Sequence, residues 1–358
     1  MAYTTINDPS AYFYTQLYTG SSSGQSITND ASSGDFKPDW VWIKRRDGDP
    51  NVVGNGHHSL YDSSRGVQKE IYSDLNSAEA TNSNALTAFG TDGFTVGTEP
   101  RVNSNGLSFV SWQWKANGGT TSTNTDGSEN STVQVNSTAG FSIVKRTGTG
   151  SAGATYGHGL GAVPDVIINK GLNTNEWYSY FKAIGGGTHW IDLSGTGAAV
   201  ADANMWNNTD ATSTVFTVGN SGGSNGSGVE YINYCFKEVQ GYSKFGSYTG
   251  NGNADGPFVY TGFKPAWVMV KRSSDSTGHW LMFDNKRSDF NLVDDFLQAN
   301  TSAAETTGHA SINLDFVSNG FKLRGNNVAY NGSGATFIYM CFAQNPLVAS
   351  NNVIALAR

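Results

Sequence analysis

Five tryptophans stand at spacings that suit stacking on a sugar ring. Trp40 and Trp42 are two residues apart, as are Trp112 and Trp114; Trp267 sits in a segment matching that of Trp40. Residues two apart on a strand share a face. Turned inward, such aromatics fill a core. Turned outward, they form a platform for a glycan or a partner. Two Asp-x-x-Arg spacings accompany them, Asp62 with Arg65 in "LYDSSRG" and Asp284 with Arg287 in "MFDNKRS". The expected role is a local salt bridge steadying a strand corner, with ligand recognition by the arginine as the alternative. An exposed pair of this kind contributes roughly 0.2–1 kcal/mol.

Other chemistries find less support. His57, His58, His158, His189, His279 and His309 show no repeated ligand spacing with a cysteine or carboxylate, so no zinc site is assigned. "DGDPN" at Asp47 offers loop oxygens but lacks the further positions and closing Glu of an EF-hand. Glycan hydrolysis needs two carboxylates facing each other about 5–10 Å apart. Spacing along the chain does not pair Asp202, Asp210, Asp294, Asp295 or Glu305. "GNSGG" at Gly219 reads as a turn, not a nucleophile elbow. No catalytic residue, metal ligand or cofactor site is assigned, and no enzyme activity is expected.

These residues lie in a chain that repeats itself. "NGSGVEYINYCF" at Asn225 and "NGSGATFIYMCF" at Asn331 are nearly the same. "FKPDWVWIKR", "AVPDVIINK" and "FKPAWVMVKR" carry Pro38, Pro164 and Pro265. Each is preceded by a Thr-Gly pair and followed by an "FTVG"-like segment and an Asn-Gly. The spacing predicts repeats over 1–117 (with an N-terminal extension), 138–240 and 241–345. Residues 118–137 read as a polar linker or surface crossing, and 346–358 as a C-terminal docking tail. Asp-x-x-Arg is absent from the middle repeat, which has "SYFKAIG" instead.

Alternating bulky residues, Gly-rich turns and about 100 residues per repeat predict an all-β chain of three tandem β-sandwich units with minor short helices. One or two helical turns are expected from Arg287, with Phe290, Val293, Phe296 and Leu297 on one stripe. "GVQKEIYSDLNSAEA" is the matching segment of repeat one. Asn-Gly before each closing strand reads as a hairpin turn. Cys235 and Cys341 occupy equivalent positions, so they are expected as two separate buried thiols.

The net charge of −7 argues against a nucleic-acid partner. No apolar run is long enough to insert in a membrane, and the first residues are not those of a signal peptide.

The pattern "TGNG…GFKPAWVMVKR…FDNKR…SNGF…NGSGATFIYMCF" resembles the repeats of structural and tail-fibre-like proteins of marine tailed phages. "GHGLGAVPDVIINK" at Gly157 is similar to a short motif of phage fibre and receptor-binding repeats. The resemblance runs from Ser10 to about Pro346. It implies a concanavalin-like, lectin-type jelly-roll in each repeat, with room for a structural Ca2+, and a place on the virion. The expectation is a non-enzymatic virion structural protein made in the host cytoplasm, of tail-fibre or host-attachment type. Its expected partners are itself as a homotrimer, other virion proteins and a host surface glycan. A capsid decoration or head-fibre protein and a glycan depolymerase are the alternatives. The apolar Val353, Ile354 and Leu356 of the tail are expected to dock on a neighbouring chain.

Overall fold

A computed structural model describes residues 3–30, 36–48, 56–173, 176–275 and 278–348. The tail residues Val353, Ile354 and Leu356 lie outside the described residues, as do Asp49 to Asn51 of the "DGDPN" loop.

The chain is all-β, and one strand order occurs three times. In each repeat an opening strand pairs with the closing strand, then come the central, third and fourth strands. Opening strands are Phe13–Thr19, Phe141–Thr147 and Ser243–Thr249; closing strands are Ser108–Trp114, Glu230–Phe236 and Thr336–Pro346. Central strands are Trp40–Arg45, Val166–Gly171 and Phe263–Arg272; third strands are Ser59–Asp62, Trp177–Phe181 and Leu281–Asp284. Fourth strands are Lys69–Tyr72, His189–Asp192 and Leu297–Gln298. All neighbours are antiparallel.

One face of each main sheet packs on a small sheet of its own repeat. Those small sheets carry Gln25–Ile27, Ala154–Gly157 and Phe258–Tyr260. The result is three separate apolar cores, one per repeat. Cys341 and Cys235 are free buried thiols in two of these cores. Burial pushes the Cys235 thiol up to about 12, so both serve as small apolar residues.

The other face of every main sheet meets the other two sheets in one shared core. The equivalent residues Trp114, Phe236 and Phe342 form a triangle at its centre. Their ring centroids are 5.7, 5.8 and 6.5 Å apart. The three repeats thus surround an approximate three-fold axis inside a single chain.

The Asn-Gly landmark has a different role from the expected hairpin turn. In repeats two and three the Asn ends a four-residue helical turn, Gly222–Asn225 or Val328–Asn331. The following Gly226 and Gly332 have φ of −56° and −58°. The left-handed residues come two later, at Gly228 and Gly334. The equivalent in repeat one is Asn103, which ends Pro100–Asn103. Each Asn side chain is buried and bridges the Thr-Gly loop. Asn331 Oδ1 accepts from Asn251 N–H at 2.9 Å, and its Nδ2 donates to Asn253 and Gly325 carbonyls at 2.8 Å. Asn225 makes the same three bonds to Thr149, Ser151 and Gly219. Asn103 makes them to Ser21, Ser23 and Gly97.

Two further expectations are corrected. The segment from Arg287 holds no helix: Val293 and Phe296 make bridges with Leu314 and Thr306, and Phe290 is exposed. Pairing across to the small sheet outweighs the helical stripe. Its counterpart in repeat one is likewise extended, as Lys69–Tyr72. Residues 118–137, read as a linker, hold Ser122–Asn124 and Ser131–Asn136, which extend the main sheet of repeat two beyond its opening strand. Val133 is buried against the repeat-two core and Val135 packs beside it.

The latch accounts for why Asn closes each repeat. Asn331→Ala should cost about 2–3 kcal/mol, three buried hydrogen bonds at about 1 kcal/mol each. Urea unfolding checks this; a loss below about 0.5 kcal/mol would contradict the latch.

Candidate functional site

The residues with chemical potential converge on the seams between repeats. At the start of each third strand stands a ring nitrogen donor: His58 and Trp280 just before it, Trp177 as its first residue. His58 Nδ1 accepts from the Trp42 indole at 2.7 Å, which leaves Nε2 to donate to the Gln298 carbonyl of repeat three at 2.9 Å. Trp280 donates to the Asp192 carbonyl of repeat two at 2.9 Å. Trp177 donates to the Tyr72 carbonyl of repeat one at 2.7 Å. The acceptors are equivalent positions on the three fourth strands. The circuit one to three, three to two, two to one therefore closes. Burial first, then the charge of Lys44, pushes His58 down to about 3, so its ring is neutral.

A second closed circuit is made of backbone. Glu79 N–H donates to Leu172 O at 2.9 Å, Ala199 N–H to Ser273 O at 2.9 Å, and Glu305 N–H to Arg46 O at 2.8 Å. Each bond joins one repeat to the next.

The Asp-x-x-Arg pairs belong to a third circuit and are buried, not exposed as expected. Arg65 Nε lies 2.5 Å from Asp62 and its Nη1 3.1 Å from Glu79. Arg287 Nε lies 2.5 Å from Asp284 and its Nη1 2.9 Å from Glu305. Burial disfavours both guanidinium charges, yet the adjoining carboxylates outweigh it and hold both arginines above their ordinary range. Each aspartate also accepts from another repeat. Tyr234 OH reaches Asp62 at 2.8 Å and Trp112 Nε1 reaches Asp284 at 3.1 Å. Tyr234 and Trp112 are equivalent positions of the closing strands, and the third equivalent is Met340.

At the seam where Met340 replaces the donor, every polar partner is replaced too. Repeat two has Phe181, Ile184 and Ala199 at the positions of Asp62, Arg65 and Glu79. Phe181 lies in the shared core and Ile184 packs against it. A buried ion pair and a well-packed apolar set of similar volume are often comparable in stability, whereas a half-removed pair is costly. The middle repeat therefore departs from the pattern as a complete set.

The five tryptophans named as a glycan or partner platform are placed differently from that reading. Trp40, Trp42, Trp112, Trp114 and Trp267 are each at most 1% exposed. Their shared face is the face turned to the other repeats. Trp40 stacks on Tyr234 of repeat two at 4.2 Å, and Trp114 meets Trp267 of repeat three edge-on at 5.9 Å. The aromatics left in solvent are Phe258, Tyr260 and Phe290, at 47, 54 and 78%. Phe258 and Tyr260 alternate about the inward Val259, a signal present in "FVY". Three residues with an apolar side chain at every position do not show in sequence which face is turned to solvent.

The carboxylates considered for hydrolysis have separate tasks. Asp202 caps the turn at Asn204, Asp210 accepts from Gly187 N–H at 2.8 Å, Asp295 accepts from Gly308 N–H at 3.0 Å, and Glu305 joins the seam. Asp294 accepts through its backbone carbonyl from His309 N–H. Among the described residues no group of three or more His, Cys, Asp or Glu is placed to hold a metal. Asp47 accepts from Ser108 N–H. Among them, too, no helix is long and apolar enough to cross a membrane.

Fold and seams define a β-structural module in which three sandwiches share one core. The chain belongs to the family described as a domain of unknown function (DUF7483), whose model matches residues 8–346. That span takes in all three repeats, so the family is defined by the whole ring and not by a single sandwich. Among curated proteins and solved structures, none matches the chain.

Two predictions follow from the seams. Arg287→Met leaves Asp284 buried without its cation and Glu305 with Arg46 alone, and should cost about 3–5 kcal/mol. Transplanting the repeat-two solution, Trp112→Met with Asp284→Phe, Arg287→Ile, Glu305→Ala and Arg46→Ser (the last because Arg46 pairs with Glu305 and Ser273 stands at its position in the apolar seam), should recover most of that loss in urea unfolding. Failure to recover would show that the polar and apolar sets are not interchangeable. Lys44, Lys170 and Lys271 are equivalent, buried and at the ends of the central strands. Burial pushes Lys44 down to about 7 and the other two to about 8. An unfolded lysine keeps its proton to about 10.5. Between those values the unfolded chain binds more protons, so stability rises with pH. Lys44→Met should therefore raise the melting temperature most below pH 7, with the gain fading toward pH 10. A gain independent of pH would contradict the assignment.

Proposed function

We propose that this is a non-enzymatic structural protein of a phage virion, a tail-fibre or host-attachment appendage. It displays lectin-like sandwiches to surface glycans or to neighbouring virion proteins. One observation carries the display reading. The features kept in triplicate are used inside, in latches and seams, while the outward faces differ. The small sheet of repeat one shows solvent the Ser26–Thr95 pair, 3.2 Å apart. That of repeat two has a half-buried Thr155, bonded to Ser128, opposite a buried Thr217. In repeat three the same face carries Phe258 opposite Lys322 and Tyr260 opposite Gly320.

A stiff carrier with unlike outer faces suits contact with something outside the chain. Aromatic rings beside a lysine and a bare glycine suit a flat sugar face or a protein edge. The virion assignment itself rests on the resemblance of the repeats to phage proteins. The homotrimer implied by the same analogy is read from the mass of the chain in solution.

The full chain should bind host cells or a glycan array, and Phe258→Ala with Tyr260→Ala should weaken that binding by roughly tenfold, about 1.4 kcal/mol, without lowering the melting temperature. No signal from the full chain at high concentration would refute host attachment. A footprint on the capsid in a particle reconstruction would refute the tail assignment.

A further inference from the structure

The opening strand forms one margin of each main sheet, and the three margins are treated differently. In repeat two it is covered. Ser131–Asn136 lies antiparallel on Phe141–Thr147, with Gln134 opposite Ile143. Gln134 reaches across the seam into repeat one. Its Nε2 donates to the Ser63 and Ser64 hydroxyls at 3.0 and 2.9 Å, and its Oε1 accepts from Gly119 N–H at 2.8 Å. In repeat one the margin is blunted by its own side chains. Gln16 and Gln25 donate to the Leu17 and Thr19 carbonyls at 3.0 and 3.1 Å.

In repeat three Ser243–Thr249 is the last strand of its sheet among the described residues. Ala343 N–H bonds to Tyr242 O, and Gly250 N–H to Ala335 O, both across to the closing strand. Antiparallel pairing alternates. Residues 242, 244, 246, 248 and 250 therefore face the closing strand, and Phe245, Ser247 and Thr249 turn N–H and C=O to the other side. Ser247 and Thr249 are exposed. Beside this margin lies a cleft of about 190 Å3 lined by Phe245, Gly246, Asp165, Phe181, Lys182 and Ala183. Phe245 is the equivalent of Ile143, and Lys182 and Ala183 are the equivalents of Ser63 and Ser64. The cleft is the place that Gln134 fills at the other seam.

We propose that the Ser243–Thr249 margin is a strand-addition site for a partner protein. The occupant is one antiparallel, uncharged extended segment that alternates small apolar and amide or hydroxyl side chains, as Thr132–Val135 does. Its amide residue pairs with Phe245 and enters the cleft. Main-chain bonds to Phe245, Ser247 and Thr249 give affinity, and the cleft gives specificity. The chain supplies its own example of the occupant at the equivalent margin of repeat two. The inference does not depend on the virion reading.

The test uses the full chain and a labelled, end-capped peptide copying residues 130–137, NSTVQVNS. Titration by fluorescence anisotropy should saturate. Hydrogen exchange at the Phe245, Ser247 and Thr249 amides should be fast in the free chain and slow in the complex. Ser247→Pro removes one outward donor at a sheet margin, where proline is tolerated, and should weaken binding at least about tenfold. If that variant does not fold, exchange in the unmodified chain decides alone. Amides already protected in the free chain, by its own segments or by a second copy, would overturn the proposal. So would the absence of saturable binding, or binding that leaves these three amides fast.

Discussion

The structure depends on burying both faces of three antiparallel sheets. An antiparallel sheet can leave one face in water. Here the outer face of each main sheet is covered by a small sheet, and the inner face by the other two repeats. The triangle of Trp114, Phe236 and Phe342 is where the three inner faces meet. Ring pairs at 4.5–7 Å contribute about 0.5–1.5 kcal/mol each beyond their buried area, and several radiate from this triangle. A repeat removed from the ring would expose an aromatic stripe. That constraint explains why tryptophans recur on the central and closing strands, and why they are buried.

A closed apolar core still contains polar atoms, and the seams show how they are satisfied. The paired donors of the seams meet acceptors from another repeat: indole or imidazole to carbonyl, amide to carbonyl, phenol or indole to carboxylate, whereas the Trp40, Trp114 and Trp267 indole N–H groups of the shared core are buried with no hydrogen-bond partner among the described residues. The same economy acts within a repeat. Tyr18 and Tyr248 donate to the Val102 and Tyr330 carbonyls at 2.7 and 2.6 Å. In repeat two the position is Arg146, which donates to the equivalent Ser224 carbonyl at 2.7 Å and lies 4.5 Å over the Tyr231 ring. A cation over a ring replaces a ring on a ring, as Tyr18 on Phe109 and Tyr248 on Phe337. Burial pushes this guanidinium down to about 10.

The sequence made the repeats and the strands visible because Pro, Thr-Gly and Phe-rich landmarks recur in order. It did not show ring closure, because a tryptophan facing a second sheet and one facing solvent have the same alternation. Asn331 was legible as a landmark but not as a latch: its partners Asn251 and Asn253 lie about 80 residues upstream. The strand Ser131–Asn136 was hidden by polar neighbours, since only Val133 and Val135 mark its inner face. The missing Asp-x-x-Arg of repeat two was visible. Its matching loss at Met340 requires knowing which strand faces which.

The most direct test of the closed ring is native-state hydrogen exchange of Val41, Ile167 and Val268, three fully buried residues on the three central strands, measured as urea is raised below the unfolding midpoint. If the three repeats share one core, these amides converge on a single opening free energy with one urea dependence. Three distinct opening free energies, each with the urea dependence of a domain of about 100 residues, would show that the repeats open independently and would contradict the account.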